Sequence, residues 1–552
     1  MKLVIVGGVA GGASAAARAR RLSESTEIVM FERGPDVSFA NCGLPYYIGE
    51  EIRERQKLLV TRPEILRRRY RVDVRVMTEV VSIDRAAKAV VVRDLRDGSE
   101  YRESYDALIL APGAAPWIPP IQGASLPGVH TLRNLDDVDR IKGAVDAGAR
   151  RAVVVGAGFI GVELVENFLR RGMTVDVVEL QDQVIPVVDR EMSTPIAEAL
   201  SAKGAVPRLR DSVESIAEGD KGLRLSLKSG GTLETGLVVL GVGVRPENRL
   251  AIEAGLDVGP RGGIRVDASM RTSDPSIYAV GDAVETREFP SGRPTQVPLA
   301  GPANRQGRIA ADAILGRGAT FRGTQATAIV GFFDHVLATT GKTEKALRGE
   351  GAPFEKVYVH ANHHAGYYPG ARPMTIKVLF DPGSGRLLGA QAVGSEGVAN
   401  RINVLATALQ AGMTVRDLAQ VELAYAPQFG SAKDPVNMAG FIASNVMDGQ
   451  ERQIHVEDWE AGRPGGAMLV DVRTPAEFAA GAIPGAVNLP VDELRDRLDE
   501  LPRDRPIVVH CQVGMRGYMA GLVLRDSSRD AYNLSGGYKT YLLHHPTAKA
   551  HA

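Results

Sequence analysis

Two residues in this chain of 552 can do thiol chemistry, Cys42 and Cys511, and each stands where a reactive sulfur would be useful. Cys42 lies in Ser38-Phe39-Ala40-Asn41-Cys42-Gly43-Leu44-Pro45-Tyr46-Tyr47. Polar Ser38 and Asn41 ahead of Cys-Gly read as the lip of a helix start, where free N–H groups and the helix dipole are expected to lower a thiol's pKa. No second cysteine stands nearby for a local disulfide. A reacting Cys42 must therefore exchange with an external thiol or cycle through an oxidised single-sulfur state. Cys511 follows the apolar run Ile507-Val508-Val509-His510 and opens the loop Cys511-Gln512-Val513-Gly514-Met515-Arg516-Gly517. A thiol at a strand end, before a short loop that opens a helix, sits in a cradle of backbone N–H groups suited to an anionic sulfur.

The elements around Cys42 read as nucleotide-binding units. Lys2-Leu3-Val4-Ile5-Val6 is a short buried strand, followed by Gly7-Gly8-Val9-Ala10-Gly11-Gly12, an alanine-rich helix to about Leu22, and a second strand ending in Glu32. This is a βαβ dinucleotide pattern with Val9 where the second glycine belongs, and Glu32 at about the ribose-binding distance. A second unit carries the full fingerprint, Gly156-Ala157-Gly158-Phe159-Ile160-Gly161, with a strand before it, a helix to about Arg171, and a strand ending in Glu179. Leu180-Gln181-Asp182 follows with no arginine to receive a 2′-phosphate, so NADH is expected over NADPH. Between and after these units, Tyr105–Gly113 and Thr272–Asp282 each read as a strand running into a turn.

Bulk composition excludes several classes. Lys+Arg and Asp+Glu both number 66, leaving no global field for nucleic acid or membrane. Two cysteines cannot build a secreted disulfide framework, no apolar run reaches membrane-spanning length, and a cytoplasmic protein is expected. A length of 552 residues with 61 glycines predicts several domains and several phosphate-binding turns.

Residues 1 to about 445 resemble the flavoprotein disulfide reductases, on Gly7–Gly12 with Glu32, Gly156–Gly161 with Glu179, and Ile277–Asp282. The Ser38–Pro45 segment resembles the single-cysteine coenzyme A-disulfide reductase branch; the two-cysteine motif and C-terminal His-Glu pair of the glutathione reductase type are missing. The resemblance implies an α/β fold with two Rossmann-like dinucleotide-binding domains, FAD first and NAD inserted, then an α+β dimerisation domain. The expected domains are 1–115 with 245–325 for FAD, 116–244 for NAD, and 326–446 for dimerisation. It also implies FAD contacts from Gly7, Val9, Ala10, Gly12, Glu32, Arg33, Asn41, Ala111, Gly113, Gly281 and Asp282. NAD contacts would come from Gly156, Gly158, Phe159, Ile160, Gly161, Glu179 and Gly243. Coenzyme A would lie near Ser14, Arg18, Arg21, Ser38, Asn41, Asn304 and Lys433, with Arg18 and Arg21 three residues apart on one helix face. Tyr367, or adjacent Tyr368, and Tyr425 match tyrosines that reach the partner subunit's site in that branch, so a homodimer is implied. No metal is expected.

After a polar linker at 447–455, Met468–Arg473, Gly481–Asn488, Ile507–Gly517 and Leu534–Tyr538 resemble a rhodanese domain over 456–545. That resemblance implies an α/β domain in which Cys511 carries a persulfide and Arg516 supports the loop. The tail, 546–552, and His544-His545 before it read as disordered. Together these features predict an FAD-dependent NADH:coenzyme A persulfide, disulfide or polysulfide reductase. Rival readings are a rhodanese-type sulfurtransferase with an accessory flavin reductase, and a single-cysteine NADH oxidase or peroxidase. Two complete nucleotide sites argue against a non-enzymatic redox sensor.

Overall fold

The computed structural model describes residues 1–220 and 222–546, so most of the tail segment 546–552 lies outside the described residues. The chain divides into two compact units, Met1–Leu180 with Gly204–Thr324, and Gln181–Lys203 with Gln325 onward.

The first unit holds two parallel five-stranded sheets. In one, Lys2–Val6 lies between Glu27–Glu32 and Ala107–Leu110, with Val72–Val76 and Ile277–Ala279 at the edges. The three central strands are near-continuous apolar runs because both faces are covered, whereas the edge strand Val72–Val76 alternates with Asp73 and Arg75. Leu3, Ile5, Ile28 and Met30 pack on one face and Val4, Val29, Leu108 and Leu110 on the other. The helix Ala10–Leu22 crosses between the first two strands, as read from the sequence. Its turn admits only glycine at key places: Gly7 has φ +94°, and a Cβ there would meet the Ala111 carbonyl oxygen at 2.1 Å. The second sheet repeats the plan, with Arg151–Val155 between Thr174–Glu179 and Leu237–Leu240, and with the helix Phe159–Arg170 as crossover.

The second unit joins an antiparallel five-stranded sheet, residues 328–394, to a parallel five-stranded sheet, residues 453–534. In the latter, Ile507–His510 lies between Met468–Asp471 and Ala531–Leu534 and aims Cys511 out of the strand end. Gln453–Ile454 pairs with Asn533 and Leu534, so the sheet begins inside the segment expected to be linker. His544 closes the helix Gly537–His544, and His545 bonds Glu460, so the ordered chain also runs past the point where disorder was expected.

That connection is anchored by buried charge. Lys377, fully buried, gives Nζ contacts to Asp189 at 2.9 Å, Glu191 at 2.7 Å and Glu344 at 2.6 Å. Lys356, 2% exposed, joins Glu344 to Glu457 of the C-terminal domain. His360 bridges Thr375 and Thr540, at 2.9 and 2.7 Å. Three acidic side chains converge here as metal ligands would, but the Lys377 ammonium already lies among them. Burial alone would raise Glu191; Lys377 reverses this and holds it down to about 2. Removing one partner of such a cluster leaves buried charge uncompensated, so the cluster locks these elements together.

Candidate functional site

Cys42 sits in a short 3₁₀ turn, Asn41–Gly43, that runs into the five-residue helix Leu44–Ile48. The turn is built as expected, and the thiol is free and exposed. Its pKa is not. Desolvation by the surrounding protein pushes the thiol up, and the carboxylates of Glu163 and Asp282 push it further. A single turn of helix supplies too little dipole to offset two acidic neighbours. Glu163 belongs to the helix Phe159–Arg170 and accepts a hydrogen bond from Tyr46 Oη at 3.0 Å, one helical turn beyond Cys42. Burial raises Glu163, with Glu166 adding to it. Neither Glu163 nor Tyr46 was singled out from the sequence. The available signal was an acid two residues past Gly161 on a helix whose neighbours Val162, Leu164 and Val165 are fully buried.

The two glycine turns use their acidic residues in the same way. Glu32 accepts from the Gly8 and Gly34 N–H groups, both at 2.9 Å, and burial raises its pKa. Glu179 accepts from the Ala157 N–H at 2.8 Å. Val9, in place of a second glycine, is the N-cap of the helix that Ala10 begins, and Gly12 abuts the Gly7 carbonyl. In the second turn Gly156 and Gly161 are confined by backbone, whereas nothing lies within 4 Å of a Cβ at Gly158. Phe159 and Ile160 open the following helix. An acid fixed against the turn, open space at the second glycine, and free N–H groups at a helix start fit a dinucleotide pyrophosphate and ribose.

Of the other expected cofactor residues, Gly113, Gly243 and Gly281 all have positive φ, and Ala111 follows the strand Ala107–Leu110. Arg33 is half exposed and pairs with Glu247 at 3.2 Å, which also binds Arg133 at 2.6 Å. Burial raises the Asp282 carboxyl against the opposing pull of Arg133.

The expected coenzyme A residues divide. Ser14 donates to Asn304 at 2.6 Å across two packed helices, and Asn41 is exposed with its amide on the Arg133 carbonyl. Arg18 is paired with Asp312 at 2.7 Å, while Arg21 is exposed. Arg20 between them is buried and donates to five backbone carbonyls, those of Ser23, Glu24, Thr26, Tyr70 and Arg71. The helix therefore offers Arg21 freely, but Arg18 already has a carboxylate. Ser38 is only 3% exposed, and Lys433 is exposed on the second unit.

In the second unit Tyr367 Oη and Tyr425 Oη lie 3.0 Å apart, and both rings are exposed. Tyr368 instead packs edge-on against His364, with ring centroids 5.5 Å apart. The phenol partnered with Tyr425 is thus that of Tyr367.

The surroundings of Cys511 are of the opposite kind. The residue is 1% exposed, and its Sγ accepts the Gly514 N–H at 3.2 Å. Gly537 has φ +62°, and a Cβ there would meet the Cys511 carbonyl oxygen at 2.2 Å, so the turn before the last helix backs the loop closely. Arg516 makes two 2.7 Å bonds to Glu477, which hold Glu477 down to about 2. Buried Arg473 ties Asp471 to Gln512 of the loop and stacks on Tyr538.

Known families match the chain in three stretches. Residues 1–307 match the pyridine nucleotide-disulphide oxidoreductase model, 327–435 the dimerisation domain of that group, and 457–544 the rhodanese-like domain. The chain belongs to the pyridine nucleotide-disulphide oxidoreductase family. It is 35% identical over 453 residues to the coenzyme A disulfide reductase of Staphylococcus haemolyticus, covering 81% of this chain and 100% of that protein. The reduced CoADR-RHD protein of Bacillus anthracis superposes with a TM-score of 0.97 at 47% identity, covering 99% of this chain and 98% of that one. An NAD-dependent persulfide reductase from A. fulgidus gives a TM-score of 0.91 at 38% identity, over 98% and 100% of the two chains. The α/β architecture with a C-terminal rhodanese domain follows the expectation from the sequence.

Proposed function

We propose that this chain is an FAD-dependent reductase that uses NADH to reduce coenzyme A persulfide or coenzyme A disulfide, with polysulfide as a further substrate. The observation that supports it best is the distribution of thiols: two free cysteines, each in its own fold, one in the dinucleotide-binding unit and one in a rhodanese-like domain. With a single thiol in the reductase half, the sulfur–sulfur bond to be reduced has to arrive on a substrate.

The first glycine turn with Glu32, together with Asp282, would hold FAD, which would supply two-electron transfer from NADH to sulfur. Cys42 attacks the persulfide R–S–SH, giving either a mixed disulfide and sulfide or a Cys42 persulfide and thiol. Net turnover converts persulfide, NADH and a proton into thiol, hydrogen sulfide and NAD⁺. Because desolvation and two carboxylates raise the Cys42 thiol, the thiolate needs help. Tyr367 and Tyr425 supply it in our reading, as a hydrogen-bonded pair of phenols brought to Cys42 by a second copy of this chain. Ser14, Asn304, Arg21 and Asn41 hold coenzyme A in this reading, with Arg18 sharing its guanidinium with Asp312. Among the described residues no helix is long and apolar enough to cross a membrane, and we place the homodimer in the cytoplasm.

The test is NADH consumption with coenzyme A persulfide, coenzyme A disulfide and polysulfide, with released sulfide measured in parallel. Turnover with the coenzyme A substrates, at a kcat/KM for NADH at least about tenfold above NADPH, is the expected result. NADH oxidation that requires only oxygen would overturn the reductase reading in favour of an oxidase.

A further inference from the structure

The rhodanese-like domain has its own selectivity, and the loop around Cys511 indicates for what. Sulfur donors to such a thiol differ in the charge they leave behind. Attack of the Cys511 thiolate on thiosulfate breaks its S–S bond, forms a Cys511 persulfide and expels the sulfite dianion. Attack on the outer sulfur of R–S–SH forms the same persulfide but expels a thiol or a singly charged thiolate. Expelling a dianion calls for uncompensated positive charge at the mouth of the site; expelling a thiol does not.

Both guanidinium groups of this loop are already neutralised. Arg473 is 2% exposed and bound to Asp471, which is fully buried, with further bonds to Gln512 and the Gly481 carbonyl. Arg516 is held bidentately by Glu477. Glu477 is itself fixed, because its Oε2 accepts both the N–H and the hydroxyl of Thr474 at 3.0 Å in a capping box. Its depressed pKa keeps this pair intact throughout the neutral range. The sulfur accepts the Gly514 N–H and also interacts with Arg516, the guanidinium whose charge Glu477 already matches. The rim is apolar: Val513 and Met515 flank Gly514 in sequence and are exposed, and Met519 and Leu522 extend the Met515 face along the helix Met515–Asp526.

We propose that the Cys511 site draws sulfane sulfur from organic persulfides and discriminates against thiosulfate, with Glu477 as the specificity-determining residue that cancels the charge of Arg516. The proposal rests on the reading of Cys511 as a sulfur-accepting thiol. It deepens that reading by naming the donor class.

The full-length FAD-loaded protein is assayed for thiocyanate formation in cyanide, with glutathione persulfide or thiosulfate as donor. In the wild type, kcat/KM with the persulfide should exceed that with thiosulfate by about a hundredfold or more. Glu477→Gln keeps an oxygen for the Thr474 cap but frees the charge of Arg516, and should raise the thiosulfate-to-persulfide ratio about tenfold. Glu477→Asp, which keeps the charge, should leave the ratio low. A measurement that needs no variant is the salt dependence of the wild type, where thiosulfate kcat/KM should not fall between low and moderate ionic strength. Comparable use of both donors by the wild type, or an unchanged ratio in Glu477→Gln, would overturn the proposal. Thiocyanate formation that survives in Cys511→Ser would instead defeat the assignment of Cys511 itself, so the two failures are distinguishable.

Discussion

The two thiols are the same functional group placed in opposite surroundings. Cys42 is exposed, at the start of a single helical turn, with two carboxylates bearing on it. Cys511 is buried at a strand end, within reach of a backbone N–H, in a loop whose guanidinium groups are matched by acids. The first arrangement leaves the thiol reluctant to ionise until substrate and other groups arrive, which suits a step that must be coupled to electron transfer. The second holds the sulfur in a fixed pocket whose charges are paired, which suits storing and passing on a sulfur atom. In the proposed function it is local environment, rather than residue type, that would separate reduction at Cys42 from transfer at Cys511.

The comparison is broken hardest by Cys42→Ser. Reduction of every sulfur substrate should fall by about a thousandfold or more, while hydride from NADH still bleaches the flavin in rapid-mixing spectra. If substantial persulfide reduction remains, the division of labour between the two thiols is wrong.

Next in size is Lys377→Met. Asp189, Glu191 and Glu344 would then face one another while buried, and stability of the second unit should drop by about 3–5 kcal/mol at neutral pH. Glu191 is held low in the folded state, so the stability it contributes is present above its ordinary 4.5 and is lost as pH falls toward about 2. The gap between wild type and variant should therefore narrow on acidification, as read by thermal unfolding across that range. A gap that does not change with pH would remove the ionic explanation.

Tyr425→Phe deletes one of the paired phenol hydroxyls, and kcat for coenzyme A persulfide should fall about tenfold with flavin content retained. The same loss in a form held monomeric by interface substitutions is expected if the phenols act across a dimer. Full activity in such a monomer would exclude that role.

Glu163→Gln removes one of the charges that raise the Cys42 thiol, so its folded-state pKa should move down. Alkylation of Cys42 by iodoacetamide, followed against pH, should reach half its maximal rate at lower pH than in the wild type. A shift upward would show that Glu163 acts on Cys42 in another way. The smallest effect is expected from Cys511→Ser on preformed coenzyme A persulfide, where turnover should stay within about twofold of wild type. Its loss should appear with polysulfide or elemental sulfur as donor, and total loss with coenzyme A persulfide would place Cys511 on the reductive path.

The strands, crossover helices and glycine turns of both nucleotide units were legible in the residues, because a buried parallel strand, a tight turn and an acid at the next strand end are local patterns. The loop–helix setting of Cys511 was legible for the same reason. Relations between distant segments were not. Nothing in the sequence near Cys42 announces Glu163, which lies 121 positions away and meets Tyr46 only once the helix after the second glycine turn is docked. The expected fall in the Cys42 pKa was read from the helix start alone and was reversed by burial and by two acids brought in from elsewhere. Arg18 and Arg21 share a helix face by spacing, but only packing reveals that Asp312 claims one of them. The C-terminal domain read as tethered by a polar linker; Lys356 and His360, ordinary residues of one strand, prove to be its anchors, with Lys377 holding Glu344, the other partner of Lys356. Local chemistry follows from neighbours in the chain, whereas ionisation and anchoring depend on low-dielectric contacts that exist only after the chain has folded.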